Sequence, residues 1–211
     1  MIVAARFNGP PTSGNGGYTA GLFATEAGAG GPMTVTLRQP PPLETPLTIT
    51  PGGELLDGDR LIATIQAEPV QPTAPDWGDP TEAAAYAGFT DHPFPTCYVC
   101  GPAKSDGLRI FPGRLPDGRT AANWTIPDQA GRETVWAALD CPGGWAIIAP
   151  GRPYVLGRIT VAIDALPNPG DDCVIVGECT GVEGRKGFVR TGLFGPDRRL
   201  LAAASATWIT V

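Results

Sequence analysis

The sequence predicts an α+β fold in which one layout occurs twice, each copy a curved antiparallel sheet around a single helix. Three observations carry this. Short runs of alternating or β-branched residues fill most of the chain. They are punctuated by 29 glycines and 24 prolines, which suit turns and short strands better than long helices. A Gly-Gly-aromatic triplet occurs twice, as Gly16-Gly17-Tyr18 and Gly143-Gly144-Trp145, at an offset of 127 (143 − 16). Later features repeat in the same order: Met33–Leu37 lines up with Ile159–Ile163, and a proline-rich break follows each, Pro40–Pro46 and Leu166–Gly170. The 211 residues thus read as two divergent copies of a unit of roughly 100 residues, a normal domain size.

In chain order, Ile2–Phe7 is expected as a first strand and Asn8–Gly14 as a loop. Residues 15–26 form the best helix candidate, with Tyr18, Leu22 and Phe23 on adjoining faces, ended by the glycines of residues 28–32. Thr34–Arg38 alternates as a strand should, Val35 and Leu37 on one face. Leu47–Thr50 repeats that pattern. Asp57-Gly58 is a hairpin turn before a strand over Leu61–Glu68. Asp79–Ala87 suits a short helix with Pro80 at its first position. Strands are expected over Gly107–Phe111, Ala121–Ile126, Glu133–Leu139, Leu156–Ala165, Cys173–Thr180, Phe188–Phe194 and Ala202–Val211. Cys173 and Cys179, at even spacing, read as one buried face. The organisation is residues 1–78 as the first unit, 79–106 as a linker with a cysteine-containing loop, and 107–211 as the second unit.

Asp140-Cys141-Pro142-Gly143-Gly144-Trp145 reads as a strand end, a tight turn and a helix start. Asp140 or Cys141 would cap the helix, Pro142 would suit its first position, and Pro150 and Pro153 would stop it by about Ala149. Glycines at a helix N-terminus bare backbone N–H groups to a ligand, and the helix dipole favours negative charge there. A carbonyl oxygen becoming an oxyanion would be stabilised at such a spot. A plain helix cap explains the same residues.

Composition excludes several function classes. A net charge of −6 gives no electrostatic footprint for nucleic acid. No run of apolar residues is long enough for a membrane span. The start, Met1–Phe7, lacks the basic and apolar regions of a secretory signal. Five cysteines, an odd number, argue against a disulfide framework and for a cytoplasmic location.

Strand, Gly-Gly loop, one helix and several antiparallel strands make the layout of the hotdog fold. The run Asn15-Gly16-Gly17-Tyr18-Thr19-Ala20-Gly21 resembles the helix start of acyl-CoA thioesterases in the hotdog superfamily. Two linked units resemble a double hotdog in one chain. The resemblance implies a thioester hydrolase with an acyl-CoA or acyl-carrier substrate lying between the units, no cofactor, and a possible homodimer. It implies an oxyanion donor at Gly17 or Gly144, with Gly16, Gly143, Tyr18 and Trp145 beside the substrate. A non-catalytic acyl-thioester binding module is the alternative. Many relatives carry an acid about two turns into the helix. Here the position seven past Gly17 is Ala24, with Glu26 two further on, and the position seven past Gly144 is Gly151. That leaves Asp140, Asn15 and His92 as candidates to orient water. His92 is the only histidine and the only side chain whose ordinary pKa lies near neutrality.

Cys97-Tyr98-Val99-Cys100-Gly101 has the spacing of half a zinc site. His92 and Cys141 are the candidates to complete it, giving a zinc-clipped structural loop as a third reading. Two small buried residues in a proline-rich turn explain the motif without metal. Trp124, Trp136, Trp145 and Phe111 are candidates to line an acyl tunnel or to fill the core.

Overall fold

Asn15 starts the first helix, α1, over Gly16–Glu26: its side chain accepts the Tyr18 N–H at 2.8 Å, satisfying one of the donors a helix start leaves open. The computed structural model describes residues 1–28, 30–149 and 151–211. Gly17 and Gly21, one turn apart, face the second helix, α2, over Arg132–Trp145. A Cβ at Gly17 would lie 2.5 Å from Cβ of Asp140, and one at Gly21 2.6 Å from Cβ of Trp136. These two glycines let the helix backbones approach more closely than any larger residue permits.

Helix α2 corrects the expected strand over Glu133–Leu139 and the expected helix start at Asp140 or Cys141. Every residue from Thr134 to Trp145 is buried, so no polar face exists to reveal a helical period. Pro142 sits inside the helix. The last turn tightens, with Ala146 N–H bonding Gly143 O at 3.1 Å, and Pro142 O instead accepts the Thr120 hydroxyl at 2.7 Å. Arg114 donates to Trp145 O at 3.1 Å, closing the C-terminus with the charge its dipole favours. Gly143 and Gly144 lie in that last turn because there is no room for side chains. Added Cβ atoms would meet Thr191 Oγ1 at 2.6 Å and the Trp208 ring at 2.5 Å. Pro150, the expected helix stop, lies outside the described residues, as does Ala29 in the glycine stretch after α1.

The strands are β1 (Met33–Leu37), β2 (Thr48–Ile49), β3 (Glu54–Asp57), β4 (Arg60–Ala67), β5 (Gly113–Arg114), β6 (Thr120–Thr125), β7 (Tyr154–Ile163), β8 (Asp172–Glu183), β9 (Lys186–Phe194) and β10 (Leu200–Thr210). They form one antiparallel sheet in the order β2-β3-β4-β1-β7-β10-β9-β8-β6-β5. Outward from its middle, β1-β4-β3-β2 mirrors β7-β10-β9-β8, so the duplication is written in the topology. The matching helix starts are Gly16 and Arg132, an offset of 116 (132 − 16). The two glycine pairs therefore occupy opposite ends of equivalent helices, which corrects the offset of 127. The halves join where β1 pairs with β7 and Val35 faces Ile159. Both side chains are fully buried. Ile159→Ala is expected to cost about 2–5 kcal/mol, read as a lower urea midpoint with an unchanged slope.

Three other segments differ from expectation. Ile2–Phe7 forms no strand; only a 3-10 turn at Ala5–Phe7 is regular. Its neighbour is the proline-rich stretch at 40–46, where Glu44 N–H reaches Val3 O, and Leu47 N–H just beyond it reaches Met1 O; the prolines between have no N–H for a ladder. Gly107–Phe111 bonds to the cysteine loop, with Leu108 N–H on Tyr98 O at 2.7 Å and Ile110 N–H on Val99 O at 3.0 Å. The two-residue strand β5 follows it. Cys173 is buried while Cys179 is exposed, because β8 bulges between Cys179 and Gly181 and that end lies beyond the core. Among the described residues no helix is long and apolar enough to cross a membrane.

Candidate functional site

The cysteine loop forms one wall of the site. Cys97 N–H bonds to Phe94 O and Gly101 N–H to Cys97 O, both at 2.9 Å. This turn places Cys97 and Cys100 on one side. A side chain at Gly101 would collide with the Cys97 backbone, so the turn requires glycine there. Tyr98 N–H on Asn8 O at 2.7 Å and the Tyr86 hydroxyl on Cys100 O at 3.0 Å fix the loop to the body.

Cys141, on the buried face of α2, meets this loop. The sulfurs of Cys97, Cys100 and Cys141 lie within 4.8 Å of one another, Cys97 and Cys141 3.9 Å apart. Hydrogen bonds from the other two thiols pull Cys97 well below the ordinary thiol range. Burial pushes Cys100 up, and donation to its neighbours pushes Cys141 up. Trp145 Nε1 donates to Cys100 Sγ at 3.5 Å. His92 Nε2 lies 3.4 Å from the same sulfur, while Nδ1 accepts the Phe94 N–H at 2.9 Å. A ring nitrogen that accepts carries no proton, so Nε2 is the protonated one in the neutral ring. Burial lowers the His92 pKa and favours that neutral form.

Asp140 lies one residue before Cys141 and is 2 % exposed. Its Oδ2 accepts the Gly17 N–H at 2.9 Å and faces Asn15 Nδ2 at 3.3 Å. Its Oδ1 is buried and has no hydrogen-bond partner among the described residues. Burial raises the carboxyl to about 7 against the opposing pull of the Gly17 N–H. A carboxylate against a helix N-terminus would ordinarily stay ionised; here desolvation outweighs the helix.

These groups line one cavity of about 310 Å³, the size of a small-ligand site. Asn15 and Gly16 at the start of α1, Leu37 to Pro41 after β1, and His92, Cys97 and Cys100 on the loop form one side. Asp140, Cys141 and Trp145 of α2, Tyr154 to Gly157 of β7, and Trp208 of β10 form the other. Asp140, Asn15 and His92, far apart in sequence, therefore meet at one place, as do Cys97, Cys100 and Cys141. Of the residues expected beside a substrate, Gly16 and Trp145 line the cavity. Gly17 is covered by Asp140, and Tyr18 is buried with its ring stacked on Phe7 at 3.9 Å. Gly143 and Gly144 are packed against Val189 and Trp208, away from the cavity lining. Trp124 and Trp136 are core residues, and Phe111 stacks on Tyr86. Leu156 and Trp208 also line the cavity; each sits in an ordinary strand pattern that says nothing of a cavity.

Gly16 N–H finds no acceptor among the described residues, whereas the next three N–H groups bond to Asp140 Oδ2, Asn15 Oδ1 and Asn15 O. One helix-start donor is thus available at the cavity.

No family model matches the sequence, and a search of curated proteins finds no relative. Solved structures do match. A conserved protein of unknown function with hot dog fold from Alicyclobacillus acidocaldarius aligns over 99% of this chain and 91% of its own, with a TM-score of 0.62 and 13% identity. A thioesterase superfamily protein aligns over 64% of this chain and 69% of its own, with a TM-score of 0.50 and 14% identity. A Streptococcus mutans UA159 protein bound to acetyl CoA aligns over 44% of this chain and 82% of its own, with a TM-score of 0.42 and 17% identity. The chain has the hotdog fold, and its mirrored strand order gives that fold in doubled form.

Proposed function

We propose that the cavity binds an acyl thioester and that Asp140 directs water onto its carbonyl carbon, releasing a carboxylic acid and a free thiol. The observation that carries this is Asp140, a buried carboxyl in the wall of a cavity at a helix start, whose Oδ1 has no hydrogen-bond partner among the described residues. Oδ2 is held by Gly17 N–H and Asn15, so the carboxylate cannot swing away. Oδ1 accepts the water proton as the oxygen attacks, and a carboxyl near neutrality suits that exchange. The Gly16 N–H, with the dipole of α1 behind it, receives the carbonyl oxygen as it becomes negative. The acyl chain lies along Leu156 and Trp208, in the apolar part of the cavity.

This departs in one respect from the expected arrangement. Only α1 offers its N-terminus; α2 contributes a side chain from its interior. In place of an acid two turns into α1, where Ala24 stands, Asp140 is supplied across the helix pair.

The test is thiol release from a panel of acyl-CoAs, with binding followed in parallel by calorimetry. Turnover of at least one acyl-CoA is expected. Binding without turnover would leave a non-catalytic acyl-thioester module, and neither would remove the reading. Leu156→Trp fills the cavity and is expected to weaken acyl-CoA binding at least about tenfold, roughly 1.4 kcal/mol.

A further inference from the structure

We propose that Cys97, Cys100 and Cys141 form a zinc site, three thiolates whose fourth coordination position opens to the cavity. The inference is independent of thioester hydrolysis and rests on sulfur geometry and on what surrounds the sulfurs.

In a tetrahedral zinc site with Zn–S bonds near 2.3 Å, the sulfurs stand about 3.8 Å apart. Cys97 and Cys141 are 3.9 Å apart, and all three sulfurs fall within 4.8 Å. Small side-chain rotations close the remaining gap. Two ligands come from a tight turn of CxxC spacing and the third from a helix across the cavity.

The surroundings decide between buried thiols and a metal site. Asn15 Nδ2 lies 3.8 Å from Cys97 Sγ and 4.0 Å from Cys141 Sγ. Trp145 Nε1 and His92 Nε2 face Cys100 Sγ at 3.5 and 3.4 Å. A neutral thiol is a weak acceptor and needs none of this. Negative sulfur does, and N–H donors around metal thiolates are the usual outer support of such sites. Three thiolates so close together repel strongly unless a cation lies between them. A soft, all-sulfur donor set selects zinc over calcium or magnesium.

His92 supports the site from outside. Its Nδ1 accepts the Phe94 N–H, which leaves the proton on Nε2, and a protonated nitrogen cannot ligate. Three protein ligands with one position left open is the pattern of reactive rather than purely structural zinc. The cavity at that position admits water or a ligand sulfur.

The test is elemental analysis of the full chain purified under reducing conditions. One zinc per chain is expected. Cys97→Ser, Cys100→Ser and Cys141→Ser should each lose it, while Cys173→Ser, Cys179→Ser and His92→Ala should retain it. Should the cysteine variants fail to fold, the unaltered chain still decides. Chelation should release the zinc and expose three additional thiols to a thiol reagent. Cobalt replacement should give sulfur-to-cobalt charge-transfer absorption. Absence of zinc together with absence of that absorption after reconstitution would overturn the proposal. So would a disulfide between any two of these cysteines in the reduced preparation, or loss of zinc in His92→Ala.

Discussion

Asp140→Asn is expected to lower kcat for acyl-thioester hydrolysis by about 10²- to 10⁴-fold, the usual contribution of a positioned acid or base, with KM little changed. The two side chains have the same shape. Asparagine can still accept the Gly17 N–H that Asp140 Oδ2 accepts at 2.9 Å, so the helix pair remains intact. What it loses is basicity at Oδ1, which has no partner among the described residues. Steady-state kinetics on the best acyl-CoA, with circular dichroism to show an unchanged fold, is the check. An asparagine variant as fast as the original chain would remove Asp140 from the chemistry. A fall confined to KM would make it a binding group only.

Gly21→Ala and Gly17→Ala should each lower stability by separating the helix pair. At Gly21 the new methyl would meet Trp136 Cβ at 2.6 Å and Glu133 Cα at 2.7 Å; at Gly17 it would meet Asp140 Cβ at 2.5 Å and Trp136 O at 2.8 Å. Backbone and Cβ atoms cannot swing aside, so the helices must separate. Such overpacking costs about 1–3 kcal/mol or more, a fall in Tm of roughly 3–10 °C for a chain of this size. The pair also separates structure from chemistry. Gly21→Ala changes stability with little change in turnover per folded molecule. Gly17→Ala pushes on Asp140 itself and should lower both. Gly52→Ala, at an exposed turn with only Thr50 Oγ1 nearby at 3.6 Å, is the control and should change stability by no more than about 0.5 kcal/mol. Thermal melts with matched activity measurements check all three.

What the sequence reveals here is what local chemistry determines. Asn15 before two glycines and a helical run marks α1, and the strands from β6 to β10 follow from alternation and turn glycines. Helix α2 hides because it is buried all round. Thr134-Val135-Trp136 resembles a strand by composition, and Pro142-Gly143-Gly144 resembles a helix start when it is a helix end. The glycines there answer to Thr191 and Trp208, partners no local pattern announces. The candidate site was half legible. Asp140, Asn15, His92 and the cysteines stand out by residue type. Their meeting does not, because the bond between Gly17 and Asp140 spans 123 positions and exists only once two equivalent helices pack together. That Asp140 lies against the start of the first helix follows only from the packing of the second helix on it.

A crystal structure of the full chain with a non-hydrolysable acyl-CoA analogue tests the central claim most directly. The account requires the carbonyl oxygen, or its mimic, within hydrogen-bond distance of Gly16 N–H. Asp140 Oδ1 must face the carbonyl carbon across one water, and the acyl chain must run past Leu156 and Trp208. An analogue bound elsewhere, or seated in this cavity with its carbonyl turned away from Gly16 and Asp140, would contradict it.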